Sequence, residues 1–289
     1  MKPMLFSIIT PSFRSSRWLE FCIASVADQD ALHEHIVQDS CSDDGTQEWL
    51  PHDPRVKAYI EKDKGMYDAV NRGLRRATGE ILAYINCDEQ YLPGALSRVA
   101  DFFNDHPDVD VVFANTVVVD ARGEYLCHRQ PLIPNRCHIW VSGNLPVLTC
   151  ATFFRRRILE KDGLFFDPNL KDVGDVTWVM GLLKARVKMA TLEVFTSVFT
   201  ETGANMNLLP NAQREKRELY RSAPVWLRLT RPFWVAHHRC RRLVAGHYRA
   251  EAFSFALYTE ASPQHRVTRR VEKTNYRWVR PEASPRPVG

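Results

Sequence analysis

Short apolar runs closed by polar clusters alternate with segments whose apolar positions recur at helical spacing. Leu5 to Ile9 reads as a buried strand, and Thr10-Pro11-Ser12-Phe13-Arg14 as the loop after it, punctuated by Pro and Ser. Trp18, Leu19, Cys22, Ile23 and Val26 mark one face of a helix. His35 to Gln38 is a short second strand, ended by Asp39-Ser40-Cys41-Ser42-Asp43-Asp44-Gly45-Thr46. A brief helix starts at Gln47, and Val56 to Ile60 is a third strand. A helix from about 67 to 77 carries Val70, Leu74 and Ala77 on one side. Ile81 to Ile85 is a fourth buried strand that runs directly into Asn86-Cys87-Asp88-Glu89. Pro93 suits the first turn of the next helix, with Leu96, Val99 and Phe103 inward.

Strand–helix alternation with short connections predicts a mostly parallel sheet covered by helices on both faces. In such sheets ligands bind beyond the carboxyl ends of the strands. The three polar clusters, 10–14, 39–46 and 86–89, fall at that edge. From about 109 the pattern changes. Residues 109–113 and 116–119 read as two strands, Arg122-Gly123 as a hairpin turn and 153–161 as a helix. Asp175 opens a helix with Val176, Val179, Met180 and Leu183 inward, and 187–199 is mostly β. Pro281 to Gly289 is Pro-rich and expected to fray.

Charge divides the chain. Residues 1–210 hold 22 basic and 28 acidic residues, a net of −6, whereas 211–289 hold 17 and 6, a net of +11. An acidic body with a basic tail suggests two jobs, or one job at an anionic surface. The seven cysteines have no zinc-ligand spacing and an odd count, as expected of reduced thiols in a cytosolic setting. Strand one begins almost at Met1, so no secretory leader is expected, and no apolar run reaches the roughly 20 residues of a membrane span.

Asn86-Cys87-Asp88 offers oxygen ligands to a hard cation, which commonly takes one or two carboxylates plus substrate phosphates. It reads equally as a solvated loop with a helix cap. Asp39 at a strand end suits a ribose hydroxyl or base N–H, or else an Asx turn. Lys64 suits a diphosphate as a point charge, or is a surface lysine. Capping accounts for Asp68 as well as function does.

The stretches SIITPSF, EHIVQDSCSDDGT, DKGMYDAVNRGLRRATGEILAYINCDE, YLPGAL and TCATFFRRRIL together resemble the family 2 glycosyltransferases of the GT-A fold, over about residues 5–205. The resemblance implies inverting transfer of a sugar from a nucleotide-diphosphate donor to an acceptor hydroxyl. It places Thr10, Pro11, Ser12, Arg14, Asp39, Lys64, Asn86 and Asp88 in donor binding, with Asp44 shaping its loop. Asp88 would ligate a divalent cation, Mn²⁺ or Mg²⁺. The family's usual first Asp of this motif is Asn86 here, and Ser40-Cys41-Ser42 stands where Gly is usual. Asp175 matches the catalytic base, with Asp172 as the fallback. A helix macrodipole would favour an acid at 175 in any case.

Three rival readings are weaker or differ in class. A non-catalytic nucleotide-sugar-binding protein would keep the pocket. A nucleotidyltransferase would want a Gly-rich loop after strand one, and a dinucleotide dehydrogenase a GxGxxG there; neither is present. His237, His238 and Cys240 lack a fourth metal ligand, and Trp178 reads as core.

Residues 211–250 hold ten Lys and Arg against two Glu, with Trp226, Leu229, Phe233 and Leu243 interleaved. This fits an interfacial helix on an anionic membrane, or a helical cap with a solvated Arg face. Nucleic acid is the weakest alternative, since no recognised module accompanies the charge. The expected organisation is a nucleotide-sugar subdomain (1–106), an acceptor subdomain carrying the base (107–206) and a basic helical extension (207–289). Expected partners are a nucleotide-sugar donor and a glycan or lipid-linked acceptor, in surface polysaccharide or glycolipid assembly. The expected location is the cytoplasm or the cytoplasmic face of the membrane.

Overall fold

The computed structural model describes residues 4–203, 210–249 and 251–278. Four parallel strands build its first half: β1 (Phe6–Ser12), β2 (His33–Asp39), β3 (Lys57–Ile60) and β4 (Ile81–Tyr84), in the order β3-β2-β1-β4. Between them lie α1 (Ser16–Ala27), α2 (Thr46–Trp49) and α3 (Met66–Arg76). Alternation sorts each strand's side chains onto two faces. Ile9, Leu82 and Tyr84 join Val70 and Leu74 of α3 in one core. Phe6, Ile8, Ile81 and Ala83 pack with Cys22 and Val26 of α1 in the other.

The sheet continues through β5 (Glu89–Tyr91), β6 (Val111–Asp120), β7 (Tyr125–Arg129), β8 (Thr152–Arg155) and β9 (Met189–Glu201). Here the order is β4-β8-β6-β9-β5, with β7 on β6. β6 and β9 run parallel, while β8 is antiparallel to both β4 and β6. The helices of this half are α4 (Ala95–Asp105), α5 (Arg136–Ser142), α6 (Arg157–Asp162) and α7 (Gly174–Lys184).

Several elements differ from the sequence reading. Thr10 to Ser12 extend β1 instead of forming a loop. Pro11 falls on the side facing the end of β4, where Ile85 N–H closes the last bond to Ile9 O at 2.9 Å and no further ladder donor is needed. The two strands expected at 109–119 are one strand, bent where its register against β9 shifts at Ala114–Thr116. Phe153 and Phe154 lie in a strand, not a helix. They pack into opposite cores, and a short apolar run does not reveal its period.

The C-terminal extension is only partly helical. α8 (Pro210–Ser222), α9 (Val225–Leu229) and α10 (Arg231–Val244) are followed by an antiparallel hairpin, β10 (Phe253–Thr259) and β11 (Ser262–Val271). Phe255 and Leu257 of the hairpin pack on Leu92, Val117 and Val198. Arg266 pairs with Asp28 at the end of α1 at 2.6 Å, so the extension is tied back to the first half. The expected frayed segment 281–289 lies outside the described residues. Among the described residues no helix is long and apolar enough to cross a membrane.

Candidate active site

The strands point their carboxyl ends into a cleft of about 1420 Å³, large enough for two substrates. Pro11, Ser12 and Arg14 from the end of β1, Lys64 before α3, Asn86 and Asp88 after β4, and Asp175 at the start of α7 all line it. Alternation sets the 86–88 motif. Cys87 turns into the core, where its thiol donates to Pro11 O at 3.2 Å, and the flanking Asn86 and Asp88 stay half-exposed to the cleft.

Thr10 and Asp39 do not line the cleft. Thr10 is fully buried, with its hydroxyl 2.9 Å from His35 Nε2. Burial pushes His35 down to about 3, so this imidazole is neutral. Asp39 is also buried and accepts from Ser42 N–H at 2.8 Å and Ser42 Oγ at 2.6 Å. Thr10 ties β1 to β2, and Asp39 braces the 40–46 loop beside the lining. Asp44 does the same, taking Ser16 N–H at 2.9 Å at the start of α1. Arg14 is paired with exposed Asp43 at 2.6 Å. Asp68 accepts from Lys64 N–H at 3.1 Å and from Arg72 at 3.0 Å, a capping role. Cys41 has φ 58°, so the backbone keeps the left-handed turn that glycine would make there.

Asp88 accepts no side-chain or backbone donor from another residue among the described residues, so its carboxylate is available to a ligand. Burial pushes its pKa up, and the charge of Glu201 adds to the rise. Its neighbour Glu89 is buried and raised further by burial and by Asp88. Glu89 accepts Asn86 N–H at 2.8 Å and so fixes the motif's backbone. A divalent cation fits this crowding of negative charge. The described residues offer no group of three protein ligands, so donor oxygens would have to complete its coordination.

Asp175 sits against Tyr67. The Tyr67 hydroxyl accepts Asp175 N–H at 3.2 Å and lies 3.4 Å from Asp175 Oδ1, which also accepts Val176 N–H at 2.8 Å. Burial pushes Asp175 up to about 6, opposed by Val176 N–H, Lys216 and Tyr67. A base with this pKa is mostly ionised at neutral pH yet retains basicity. Gly174 permits the approach, since a Cβ there would stand 2.5 Å from the Tyr67 ring. The loop before α7 is held from α8: buried Glu215 accepts the N–H groups of Lys171, Asp172 and Val173 at 3.2, 3.1 and 3.0 Å. Asp172 itself is engaged by Asn211 at 2.6 Å.

Several lining residues escaped the sequence reading. Phe13 is 49% exposed beside the strand-one loop, with Arg14 and Lys62 over its ring. Lys216, Arg129, His138, His238 and Arg242 close the far side. They come from elements far apart in sequence, and only the exposed aromatic in a strand-end loop carried a local signal. His238 turns to His138, while Cys240 is exposed, so the 237–240 cluster is not a unit. Trp178 is buried and donates to Leu164 O at 2.8 Å.

Comparison with known proteins gives one consistent answer. The chain is 35% identical over 107 residues to the teichuronic acid biosynthesis glycosyltransferase TuaG of Bacillus subtilis, which is 35% of this chain and 42% of that one. It is 32% identical over 125 residues to a PGL/p-HBAD biosynthesis glycosyltransferase of Mycobacterium tuberculosis, 41% of this chain and 49% of that one. The matched segments thus span about half or less of these relatives. Among solved structures, S. aureus TarS 1–349 in complex with UDP-GlcNAc superposes with TM-score 0.60 at 19% identity, over 83% of this chain and 73% of that one. The mannosyltransferase PcManGT of Pyrobaculum calidifontis, in complex with GDP-Man and Mn²⁺, gives 0.57 at 18% identity, over 86% and 77%. The fold is GT-A. The sequence model described as glycosyl transferase family 2 matches residues 7–163, more than half of the chain, and this protein belongs to that family.

Proposed function

We propose that the cleft transfers a sugar from a nucleotide-diphosphate donor to an acceptor hydroxyl with inversion at the anomeric carbon. The observation that carries this reading is that Asp88, unpartnered, and Asp175, with a pKa near 6, line one cleft in a chain of this family. Pro11, Ser12, Phe13 and Lys64 would receive the nucleotide, and Asn86 and Asp88 its diphosphate side. The relatives' names, teichuronic acid and PGL/p-HBAD biosynthesis glycosyltransferases, and the nucleotide ligands of the solved neighbours support a nucleotide-sugar donor and a glycan or related acceptor.

The acceptor hydroxyl must lose its proton as it attacks opposite the leaving diphosphate. Asp175 Oδ2 takes that proton. Its partner Oδ1 is held by Val176 N–H and Tyr67, so the carboxylate presents one oxygen in a fixed direction. Glu215 holds the loop that sets where α7 begins. A cation on Asp88 would supply charge stabilisation for the departing diphosphate.

The exposed face of α9 and α10 gives this enzyme a place to work. Trp226 is 57% exposed, Phe233 61% and Leu229 77%, next to Arg228 and Arg231. Large apolar side chains flanked by Arg suit an anionic membrane surface. Wild-type protein should float with anionic vesicles, and Trp226→Ser with Phe233→Ser should not; equal flotation of both would refute the surface.

Release of nucleoside diphosphate from a panel of nucleotide sugars, with Mn²⁺ and a glycan acceptor, tests the transfer. Asp88→Ala and Asp175→Asn should each lose at least a hundredfold in rate. Nucleotide-sugar binding without turnover on any acceptor would favour a binding protein instead.

A further inference from the structure

The lining of the cleft includes a cluster that the proposed donor contacts leave unused. Arg129 at the end of β7, His138 in α5, and His238 and Arg242 in α10 make it up. The His138 and His238 rings stack at 3.7 Å between centroids, 13° from parallel. Arg242 is 4% exposed, and its Nε donates to His238 Nε2 at 2.9 Å, which leaves the His238 proton on Nδ1. Arg242 and Arg129 lie over the Tyr276 ring at 5.2 and 4.8 Å. Among the described residues neither Arg129 nor Arg242 takes part in an ion pair with a carboxylate, and Arg242 Nη1 donates to the Gln130 carbonyl at 3.4 Å.

A buried guanidinium without a counter-charge is expensive. It is kept where a ligand supplies the missing negative charge. Beside it the Nδ1 atoms of His138 and His238 are buried without a partner, and that of His238 carries the ring proton. Burial pushes His138 down to about 4 and His238 down to about 3, with Arg242 adding to both, so the rings are neutral hydrogen-bonding groups at physiological pH. Planar guanidinium forks beside an imidazole N–H match an oxyanion.

We propose that this cluster binds an anionic group of the acceptor, a diphosphate or a carboxylate. The assignment to the acceptor rests on the transfer reading above; the existence of an anion site does not. A hydroxyl nucleophile must reach Asp175 within this same cleft. A charged group seated there would hold that nucleophile against the base.

The test titrates the intact protein by calorimetry with inorganic pyrophosphate and, separately, with glucuronate, while UDP and GDP at saturating concentration occupy the donor side. At least one anion should bind wild type. Binding should weaken at least tenfold in Arg242→Gln and in the half-exposed Arg129→Gln, with nucleotide binding within twofold of wild type, which also shows the variants fold. Preference for pyrophosphate identifies a phosphorylated carrier, and preference for glucuronate an acidic sugar. Binding of neither anion, or binding unchanged in Arg129→Gln, overturns the proposal. Failure of the donor reading would look different: neither nucleotide would bind, and pyrophosphate affinity would still fall in Arg129→Gln and not in Asp88→Ala.

Discussion

Replacing Asp175 with Asn should make the protein more stable and far less active at neutral pH. The Asn keeps an oxygen to accept from Val176 N–H and Tyr67, so the local bonds survive. What it removes is a charge whose burial raises the carboxyl pKa from 3.8 to about 6. At about 1.4 kcal/mol per pKa unit, the folded state would carry a penalty of about 3 kcal/mol for the ionised acid. One side of the carboxylate faces the cleft, and screening there reduces the figure to about 2 kcal/mol. The sign follows from proton uptake. Between pH 4 and 6 the folded protein binds the proton more tightly than the unfolded chain, so wild-type stability falls as pH rises through that window and stays lower above it. Thermal melts of wild type and Asp175→Asn should therefore differ by roughly 4 °C at pH 7.5 and converge near pH 4. The same variant should lose about 10²–10⁴ in kcat, and the wild-type rate should fall below about pH 6 as the base is protonated. An Asn variant no more stable than wild type at pH 7.5, or a difference that does not change with pH, would refute the argument that this acid is held against its own solvation.

Three further substitutions probe the scaffold. Gly174→Ala would drive a methyl into the Tyr67 ring and separate it from Asp175; kcat should fall at least tenfold with nucleotide affinity unchanged, measured by steady-state kinetics and calorimetry. Glu215→Ala leaves three N–H groups of the 171–173 loop, that of Val173 buried, without their acceptor and should cost about 2 kcal/mol in denaturant unfolding, with a loss of kcat. Cys41→Gly relieves a left-handed residue and should raise stability by about 0.5–1 kcal/mol, the cost of a side chain at φ 58° exceeding the added freedom of glycine in the unfolded chain.

The first half of the fold was legible because its strands are buried on both faces and read as short, mostly apolar runs such as Phe6–Ile9 and Ile81–Ile85, spaced by helical patterns. Asp88 followed from the same logic, since it closes such a run, whereas Asp175 came from the resemblance to the family. β5 was not legible. Its three residues, Glu89, Gln90 and Tyr91, look polar, yet all are buried: they pair with β9 more than 100 residues away, Tyr91 packs in the core, and Gln90 bonds Tyr258 of the hairpin. That hairpin was itself readable in the alternation Phe253, Phe255, Leu257, but the run of basic residues before it drew a helical reading. The Tyr67–Asp175 contact and the His138–His238 stack join residues 100 or more positions apart, and no local pattern encodes such meetings.

Tyr67 bears on how Asp175 would act as the proposed base. Burial and the Asp175 charge hold its pKa well above the usual phenol range, so its hydroxyl stays protonated while Asp175 titrates. It orients the acid and does not compete for the proton.

The central claim, that Asp88 and Asp175 act on one activated sugar from two sides of one cleft, is tested most directly by the anomeric configuration of the product. Proton NMR of the glycoside formed from an α-linked nucleotide sugar should show a β linkage, and its formation should vanish in both Asp88→Ala and Asp175→Asn. An α-linked product, or undiminished product from either variant, would contradict the account.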